Sequence, residues 1–411
     1  MTDVSADAGK SSASSRRVYL HVGAPKTGTT FLQSMLAANR ARLLEDGCFY
    51  PLTQGASAHH VEARDLRNAK PRRGFVHPAG PGSWDRLART VREWDGEGIA
   101  LLSSELLVFA TRDKVERALQ SLQPAEVHLV VTVRDLVRQI PAVWQETVKN
   151  GNTTSYEDYL RELVEDEDGS GPRGVWNGQD PVRILARWGY LLPPERIHLV
   201  TVPPAGNDPR LLWTRFASVL GVDPEDYPLV PKGANTSLGV AETEVVRRLN
   251  VQLRQAPWQF YSRHVKVGLA QGVLAGRSEG ARLVLPDELL PMVERRTKRI
   301  IDTISGAGYD VVGDLDDLLP PKDGAGTGPV AEPEPAHLAE ASAAAAGYLA
   351  GAFARYWQRS QRSEQRTRPA AGQTEPRPAG LRTRLVRLSE RHRAVDVLRR
   401  GYRLARRRVR R

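Results

Sequence analysis

The sequence predicts an α/β protein with a parallel sheet and helices on both faces, a three-layer arrangement. Three apolar segments carry this prediction: residues 17–22, 98–105 and 126–133. The second and third are nearly continuous apolar runs that end at polar or charged residues, as strands buried on both faces do. Helix-like segments lie between the strands. Because strand and helix alternate over more than 180 residues, the strands are expected to run parallel.

The other elements follow from apolar spacing and from chain-breaking residues. A short extended element is expected at 47–51, and a further strand at 197–202 ends at Pro203-Pro204. Apolar residues at helical spacing predict helices at 31–42, 112–122, 136–150, 209–221, 238–254 and 286–306. Residues 63–97 mix charges with Pro and Gly. This pattern gives no assignment for that segment.

Composition shifts divide the chain into six parts. Residues 1–16 read as a disordered leader without the apolar block of a secretory signal. One α/β domain is predicted at 17–320, with P-loop-like anion-binding residues near its start. Beyond it we expect a helical and disordered extension, consisting of a linker at 321–336, an Ala-rich helix at 337–366, a linker at 367–380 and a basic amphipathic tail at 381–411.

The net charge of +11 comes entirely from the C-terminal end. Residues 380–411 hold thirteen arginines and two acidic residues, and 46 basic and 46 acidic residues make up the rest. A basic footprint spread over the whole chain is therefore absent, which argues against a nucleic-acid-binding domain. The single cysteine, Cys48, allows no intrachain disulfide and fits a reducing compartment, so the predicted localisation is cytoplasmic.

Residues 17–32 have the pattern of an anion-binding loop. A short strand is followed by the turn from Gly23 to Gly28 and then by a helix. The glycines allow a sharp turn and a close approach to the ligand, while the helix N-terminus directs free N–H groups at negative charge. Lys26 adds a cation, and Thr27, Thr29 and Thr30 add hydroxyl groups. An ordinary turn rarely carries these residues together.

The loop differs from that of nucleoside-triphosphate enzymes. Their lysine follows the second glycine, where this chain has Thr29. The string Pro25-Lys26-Thr27-Gly28-Thr29-Thr30-Phe31 instead resembles the 5′-phosphosulfate loop of the sulfotransferase family, which uses 3′-phosphoadenosine-5′-phosphosulfate (PAPS) as sulfuryl donor. The resemblance implies PAPS as co-substrate, bound by these seven residues, and implies no need for a metal. Phe31 would stack on adenine, with a place in the core as the alternative.

A second segment, Val133 to Gln145, resembles the 3′-phosphate-binding element of the same family. Arg134 ends a strand and matches the family's arginine. The family's serine eight residues later is Ala142 here, so Arg138 or Gln139 is expected to supply the missing contact. The alternative is a surface Arg-Asp pair that caps a helix. Further along, Asn235 and Ser237 lie where the family places a loop over the 3′-phosphate, although an ordinary turn explains them too.

The reaction that the resemblance implies needs a base for the acceptor's proton. Glu105 follows the 98–105 strand and is the first candidate, with a place in the first turn of a helix capped by Ser104 as the alternative. His60 and His59 are second candidates in a polar loop. Lys26 would neutralise charge on the leaving oxygen. No His/Cys/Asp cluster has metal-ligand spacing.

The sequence therefore predicts a PAPS-dependent sulfotransferase. The acceptor would be a hydroxyl or amine of a carbohydrate, lipid or small metabolite. Two alternatives stay open: a P-loop kinase or NTPase, and a catalytically silent nucleotide-binding or scaffold protein whose tail is the working part. The tail has apolar residues at spacings of three and four between arginines. An anionic membrane surface, a partner helix or RNA could receive it, and peripheral membrane attachment is the prediction made here.

Overall fold

The structure is a computed structural model that describes residues 16–53, 56–167, 174–230, 237–277, 280–330 and 332–367. The chain divides into two compact units, Met1–Ala350 and Gly351–Arg411. The first unit contains the sheet and the predicted site. In the second, the structure describes only the end of the last helix.

Six strands form one parallel sheet in the order β2-β3-β1-β4-β5-β7, and β6 and β8 form a separate parallel pair. The strands are β1 Arg17–His21, β2 Cys48–Phe49, β3 Ile99–Ser103, β4 Glu126–Val133, β5 Ile197–Thr201, β6 Leu285–Pro286, β7 Asp310–Val312 and β8 Thr327–Gly328. The parallel sheet and the five strands predicted for it are confirmed. The sixth, β7, was not predicted, because three residues after a Gly/Tyr turn give too short a pattern.

The helices cover both faces of the sheet. They are α1 Thr29–Ala38, α2 Arg40–Glu45, α3 His60–Leu66, α4 Ser83–Glu93, α5 Arg112–Leu122, α6 Leu136–Lys149, α7 Tyr156–Glu165, α8 Pro181–Trp188, α9 Arg210–Leu220, α10 Val240–Gln252, α11 Trp258–Phe260, α12 Leu290–Ser305 and α13 Pro335–Thr367. A π-helical segment, Tyr261–Leu274, continues α11. The segment 63–97, which the sequence left unassigned, holds the end of α3 and all of α4.

Strand alternation divides the core into two layers. Val18 and Leu20 of β1 lie in the same cluster as α3 to α6 and α12. Tyr19 points to the opposite face, where a second cluster packs α1, α2 and α9 against the sheet. Successive side chains of a strand alternate between the two faces of the sheet. A strand with apolar residues at each position must therefore be covered by helices on both faces. The three-layer prediction is confirmed.

The strand register brings the predicted site residues to one edge. His21 pairs with Ser103 of β3 and with Val130 of β4. The loop after β1 therefore leaves the sheet beside the residues that follow β3, while β4 continues to Val133. Ligands of parallel sheets bind beyond the carboxyl ends of the strands. This edge is where the site is built.

The C-terminal part of the first unit differs from the predicted linker. Thr327 and Gly328 form β8, which pairs with Leu285 and Pro286. The ideal Cβ position of Gly326 lies 3.1 Å from the Val137 side chain, so the segment packs back against α6 rather than leaving the domain. Ala341 of α13 is fully buried. The domain therefore extends past residue 320, because apolar contacts continue beyond Pro320-Pro321.

The predicted Ala-rich helix is present as α13, which begins at Pro335. The predicted leader, the linker at 367–380 and the basic tail lie almost entirely outside the described residues. Among the helices that the structure describes, none has the length and apolar character that crossing a membrane requires.

Candidate anion-binding site

A large cavity opens at the carboxyl edge of the sheet. Its volume is about 1330 Å³, and residues from the loop after β1, from α1, α3, α6 and from the π-helical segment line it. Seven basic side chains and three acidic ones contribute to the lining: Lys26, Arg64, Arg72, Arg134, Arg138, Lys149 and Lys266, with Asp65, Glu105 and Glu146. The excess of positive charge suits an anionic ligand.

The loop after β1 adopts left-handed backbone conformations that few residues tolerate. Gly23 and Gly28 have φ values of 64° and 83°, and Lys26 has a φ of 68° although it is not glycine. A Cβ at Gly28 would lie 2.4 Å from the Leu212 side chain, and one at Gly23 would lie 2.6 Å from Thr29. Both glycines are thus required by close contacts as well as by φ.

The N-terminus of α1 opens toward the cavity. Gly28 precedes the helix and has no side chain with which to cap the first-turn N–H groups. Thr29, Thr30 and Phe31 stand in this turn and line the cavity. The first-turn N–H groups and the helix dipole together make this end a place for an anion.

The Thr27 hydroxyl was predicted to donate to the ligand, but the structure gives it other partners. Its side chain is fully buried. The hydroxyl donates to the Ala24 carbonyl at 2.6 Å and lies 2.6 Å from the Thr132 hydroxyl. Thr27 therefore ties the loop to β4, because its Oγ1 is already bonded on the side away from the cavity.

Arg134 and Gln139 hold the loop from the side of α6. Arg134 Nη1 donates to the main-chain carbonyl of Lys26 at 3.0 Å, and Gln139 Nε2 donates to the carbonyl of Pro25 at 3.0 Å. The Arg134 Nε is buried and has no hydrogen-bond partner in the described part of the chain. A buried cationic donor without an acceptor is costly unless a ligand supplies one.

Arg138 shares the carboxylate of Asp135 with the start of α6. Asp135 Oδ1 accepts the Arg138 main-chain N–H at 2.8 Å, and its Oδ2 accepts from Arg138 Nε at 2.5 Å. Asp135 thus caps α6, as the predicted alternative has it, but Asp135 is buried rather than on the surface. Burial lowers the pKa of Arg134, and the nearby charge of Arg138 lowers it further. One carboxylate between two guanidinium groups leaves positive charge in the cavity.

Three lysines surround one carboxylate in the cavity wall. Glu146 Oε2 lies 2.7 Å from Lys26 Nζ and 3.3 Å from Lys149 Nζ, and Oε1 lies 3.0 Å from Lys266 Nζ. Burial alone would raise the pKa of Glu146, but the ammonium groups of Lys26, Lys266 and Lys149 hold it far below its usual range. Glu146 is therefore ionised and positions Lys26, while two positive charges remain uncompensated.

Glu105 and His60 face each other across the cavity wall. Glu105 Oε1 lies 3.7 Å from His60 Nε2, and Glu105 Oε2 accepts from Gln33 Nε2 at 3.2 Å. His60 Nδ1 lies 2.8 Å from the Ser104 hydroxyl. Ser104 also caps a short 3-10 helix, Glu105–Phe109, so the predicted alternative for Glu105 holds together with its place in the cavity. His60 begins α3 and does not lie in a loop.

His59, the other candidate base, has a structural position. It is buried, its Nε2 lies 2.7 Å from the Pro51 carbonyl, and its Nδ1 accepts the Ser103 main-chain N–H at 3.0 Å. Both ring nitrogens are thus used by the backbone. Burial lowers the pKa of His59, which keeps the ring neutral. The prediction that His59 could act as the base is wrong for this reason.

Phe31 and Ser237 also reach the cavity. The Phe31 ring is half-buried and packs against the core cluster around α1, while stacking on adenine stays a prediction. Ser237 Oγ donates to Gln145 Oε1 at 3.1 Å. Asn235 lies outside the described residues.

Four of the seven basic residues that line the cavity, together with Glu146, were not predicted from the sequence. Glu146 and Lys149 follow Arg138 and Ala142 at spacings of three and four on α6, and this helical periodicity could have placed them on the cavity side. Arg64, Arg72 and Lys266 carried no such indication, because α3, a loop and the π-helical segment bring them in from separate parts of the chain. Within the described ranges, no cluster of three His, Cys, Asp or Glu residues could hold a metal ion.

Comparisons with known proteins give little for this chain. No family model and no curated protein matches it. Among solved structures it is similar to a sulfotransferase from Alicyclobacillus acidocaldarius, with 16% identity over 64% of this chain and 98% of that chain and a TM-score of 0.35.

Proposed function

We propose that the protein is a sulfotransferase that transfers a sulfuryl group from PAPS to a hydroxyl or amine of an acceptor. One observation carries the proposal: the Lys26 loop and Arg134 line the same cavity and are joined by the hydrogen bond to the Lys26 carbonyl. The two segments that resemble the family's 5′-phosphosulfate and 3′-phosphate elements are therefore neighbours, as binding both ends of one adenosine bisphosphate requires.

The residues of the cavity fit such a donor. The N–H groups at the start of α1 and the Lys26 ammonium would bind the 5′-phosphosulfate. The guanidinium groups of Arg134 and Arg138 would bind the 3′-phosphate. Among the described residues, the Arg134 Nε forms no hydrogen bond and lies 3.8 Å from Asp135 Oδ2. Ser237, which also lines the cavity, would add a hydroxyl contact to the 3′-phosphate. The Phe31 ring offers a flat surface to adenine.

The chemistry assigns a separate task to each remaining side chain. The bound donor supplies a sulfuryl group on a good leaving phosphate. Glu105 would accept the proton of the acceptor hydroxyl, and His60, at 3.7 Å, would orient the carboxylate. Lys26, positioned by Glu146, would neutralise the negative charge that grows on the bridging oxygen as the S–O bond breaks.

A kinase or NTPase is the weaker alternative. Such enzymes use a lysine directly after the second loop glycine, where this chain has Thr29, the first residue of α1. They also bind Mg²⁺ through an Asp at a strand end. Here β3 ends at Ser103, followed by Ser104, and Asp135 after β4 is occupied by Arg138.

The proposal is tested by measuring release of 3′,5′-adenosine bisphosphate from PAPS over a panel of hydroxylated and amino acceptors. The wild type should release it with at least one acceptor, and Lys26→Ala should lower the rate about a hundred-fold or more. Arg89→Ala, an exposed change on α4, is the matched control and should leave the rate unchanged. A chain that binds the bisphosphate but transfers to no acceptor would support the silent binding protein instead.

A further inference from the structure

The cavity is larger than the proposed donor needs. Its volume of about 1330 Å³ exceeds the roughly 300–1,000 Å³ that is typical of a pocket for one small ligand. The loop after β1 and the start of α6 form one side. Arg64, Arg72, Lys266 and Trp258 line another part of the wall, and these residues have no task in binding the donor.

Arg72 and Lys266 converge on one oxygen atom. Arg72 Nη1 donates to Asn150 Oδ1 at 3.3 Å, and Lys266 Nζ donates to the same oxygen at 2.9 Å. The two cations are therefore held beside each other by a neutral amide. Lys266 has Glu146 as its carboxylate partner, but it shares that group with Lys26 and Lys149.

The two arginines of this wall lack carboxylate partners. Arg64 Nη2 donates to the Lys70 carbonyl at 2.7 Å. In the part of the chain that the structure describes, neither Arg64 nor Arg72 forms an ion pair. Asp65 is nearby in the lining, but its two oxygens accept the main-chain N–H groups of Gly82 and Trp84. Burial lowers the pKa of Arg72, the charge of Arg64 lowers it further, and the charge of Glu146 opposes both effects.

An aromatic ring fixes the orientation of the Arg72 guanidinium. The Cζ atom of Arg72 lies 4.7 Å from the centre of the Trp258 ring. A guanidinium stacked on a ring keeps its donors in one plane and loses little freedom when it binds two oxygens of a carboxylate or a sulfate. Arg72 is thus prepared for a carboxylate or a sulfate rather than left as a mobile surface charge.

We infer that the acceptor carries an anionic group, a carboxylate or a sulfate ester, which binds between Arg72 and Lys266 in the shared cavity. The inference rests on the proposed sulfuryl transfer, because an acceptor must place its hydroxyl at Glu105 in this cavity. The acceptor class is therefore an acidic, hydroxylated molecule, of which acidic saccharides and hydroxy acids are examples.

The test measures binding to the full chain saturated with 3′,5′-adenosine bisphosphate. Calorimetric titrations use three matched probes: methyl β-glucoside, which is neutral, methyl β-glucuronide, which bears a carboxylate, and the 6-sulfate ester of the glucoside. At least one anionic probe should bind about ten-fold more tightly than the neutral one, since hydrogen bonds to charged groups are the stronger kind. Whichever anionic probe binds better identifies the preferred group.

Variants assign the effect to the named residues. Arg72→Gln and Lys266→Gln should each remove most of the preference for the anionic probe, while Arg89→Gln on exposed α4 should retain it. Equal binding of all three probes, or equal loss in Arg72→Gln and Arg89→Gln, would overturn the inference. Because the bisphosphate is titrated first, a chain that fails to bind it overturns the proposed donor site separately.

Discussion

The guanidinium of Arg134 donates a hydrogen bond to the main-chain carbonyl of Lys26, 108 positions away in the sequence. Lys26 has a φ of 68°, a conformation that costs a non-glycine residue about 1–2 kcal/mol. The bond from Arg134 is one of the contacts that hold this conformation. The residue proposed for the 3′-phosphate thus also shapes the loop proposed for the 5′-phosphosulfate.

Replacing Arg134 should therefore weaken donor binding in two ways. Arg134→Ala removes the proposed phosphate ligand and the bond to the Lys26 carbonyl, so affinity for 3′,5′-adenosine bisphosphate should fall at least about ten-fold. Arg134→Lys keeps the charge but loses the guanidinium fork, so it should recover only part of the affinity. Calorimetric titration against Arg89→Ala provides the comparison. Full recovery by lysine would mean that charge alone matters at this position.

The left-handed conformation of Lys26 predicts an unusual order of stability. Lys26→Gly and Lys26→Ala both lose the contact with Glu146, so they differ mainly in backbone freedom. Because glycine adopts positive φ readily, Lys26→Gly should be more stable than Lys26→Ala by about 1 kcal/mol. Urea unfolding at neutral pH measures the difference in the free energy of unfolding. Equal or greater stability of the alanine variant would contradict the strained loop.

Glu105 as the base predicts a loss of turnover without a loss of donor binding. Glu105→Gln keeps the side-chain shape but cannot take the acceptor's proton, so kcat should fall by about 10²–10⁴, while adenosine bisphosphate binds as before. His60→Asn should have a smaller effect, because His60 only orients the carboxylate. If Glu105→Gln turns over at the wild-type rate, Glu105 is not the base.

Burial of His21 predicts that the protein loses stability in acid. The pKa of His21 is lowered from 6.5 to about 3 by burial, so between these values the unfolded chain binds a proton that the folded chain does not. The stability that the buried, neutral His21 ring contributes is fully present above pH 6.5. Well below that pH, the free energy of unfolding should fall by about 1.4 kcal/mol per pH unit for this group.

Urea unfolding between pH 7 and pH 5 measures this slope. His21→Asn should have a shallower slope than the wild type, whatever its stability at neutral pH. Arg89→Ala, an exposed change on α4, should keep the wild-type slope. Identical slopes for wild type and His21→Asn would show that His21 does not contribute to the pH dependence of the free energy of unfolding.

The arginine-rich tail predicts attachment to anionic membranes. Deleting residues 380–411 removes thirteen arginines, so the truncated chain should no longer sediment with vesicles that contain phosphatidylserine. Neither form should sediment with phosphatidylcholine alone. In the second unit, Phe353, Tyr356 and Trp357 are exposed aromatic residues of α13. Replacing all three with serine in the full chain tests how much these aromatic residues contribute to membrane binding. Unchanged sedimentation of the truncated chain would contradict membrane attachment by the tail.

The fold could be predicted from the sequence where local pattern and burial agree. The predicted strand at 126–133 matches β4, and the predicted helix at 112–122 matches α5. Both are long, regular and bounded by polar or proline residues. In contrast, β7 has three residues, and β8 has two that include a glycine. Such short strands are fixed by pairing with distant segments, which no local pattern records.

The candidate site could be predicted where loop glycines surround a lysine, or where charged residues follow the end of a predicted strand. Lys26 and Arg134 each stand in such a segment, and both line the cavity. Thr27 and His59 carried the right chemistry for a ligand or a base, but the fold buries them and bonds their polar atoms to the sheet and the backbone. The place of Lys266 in the site could not be predicted from the sequence, because only the packing of the π-helical segment brings it to Glu146.

The most direct test of the central claim follows thermal stability during titration with two nucleotides. A ligand that binds the native state raises the melting temperature. We predict that 3′,5′-adenosine bisphosphate raises it in the wild type and fails to do so in an Arg134→Ala, Lys26→Ala double variant, whereas ATP with Mg²⁺ has no effect. Stabilisation by ATP with Mg²⁺ alone, or by neither nucleotide, would contradict the account.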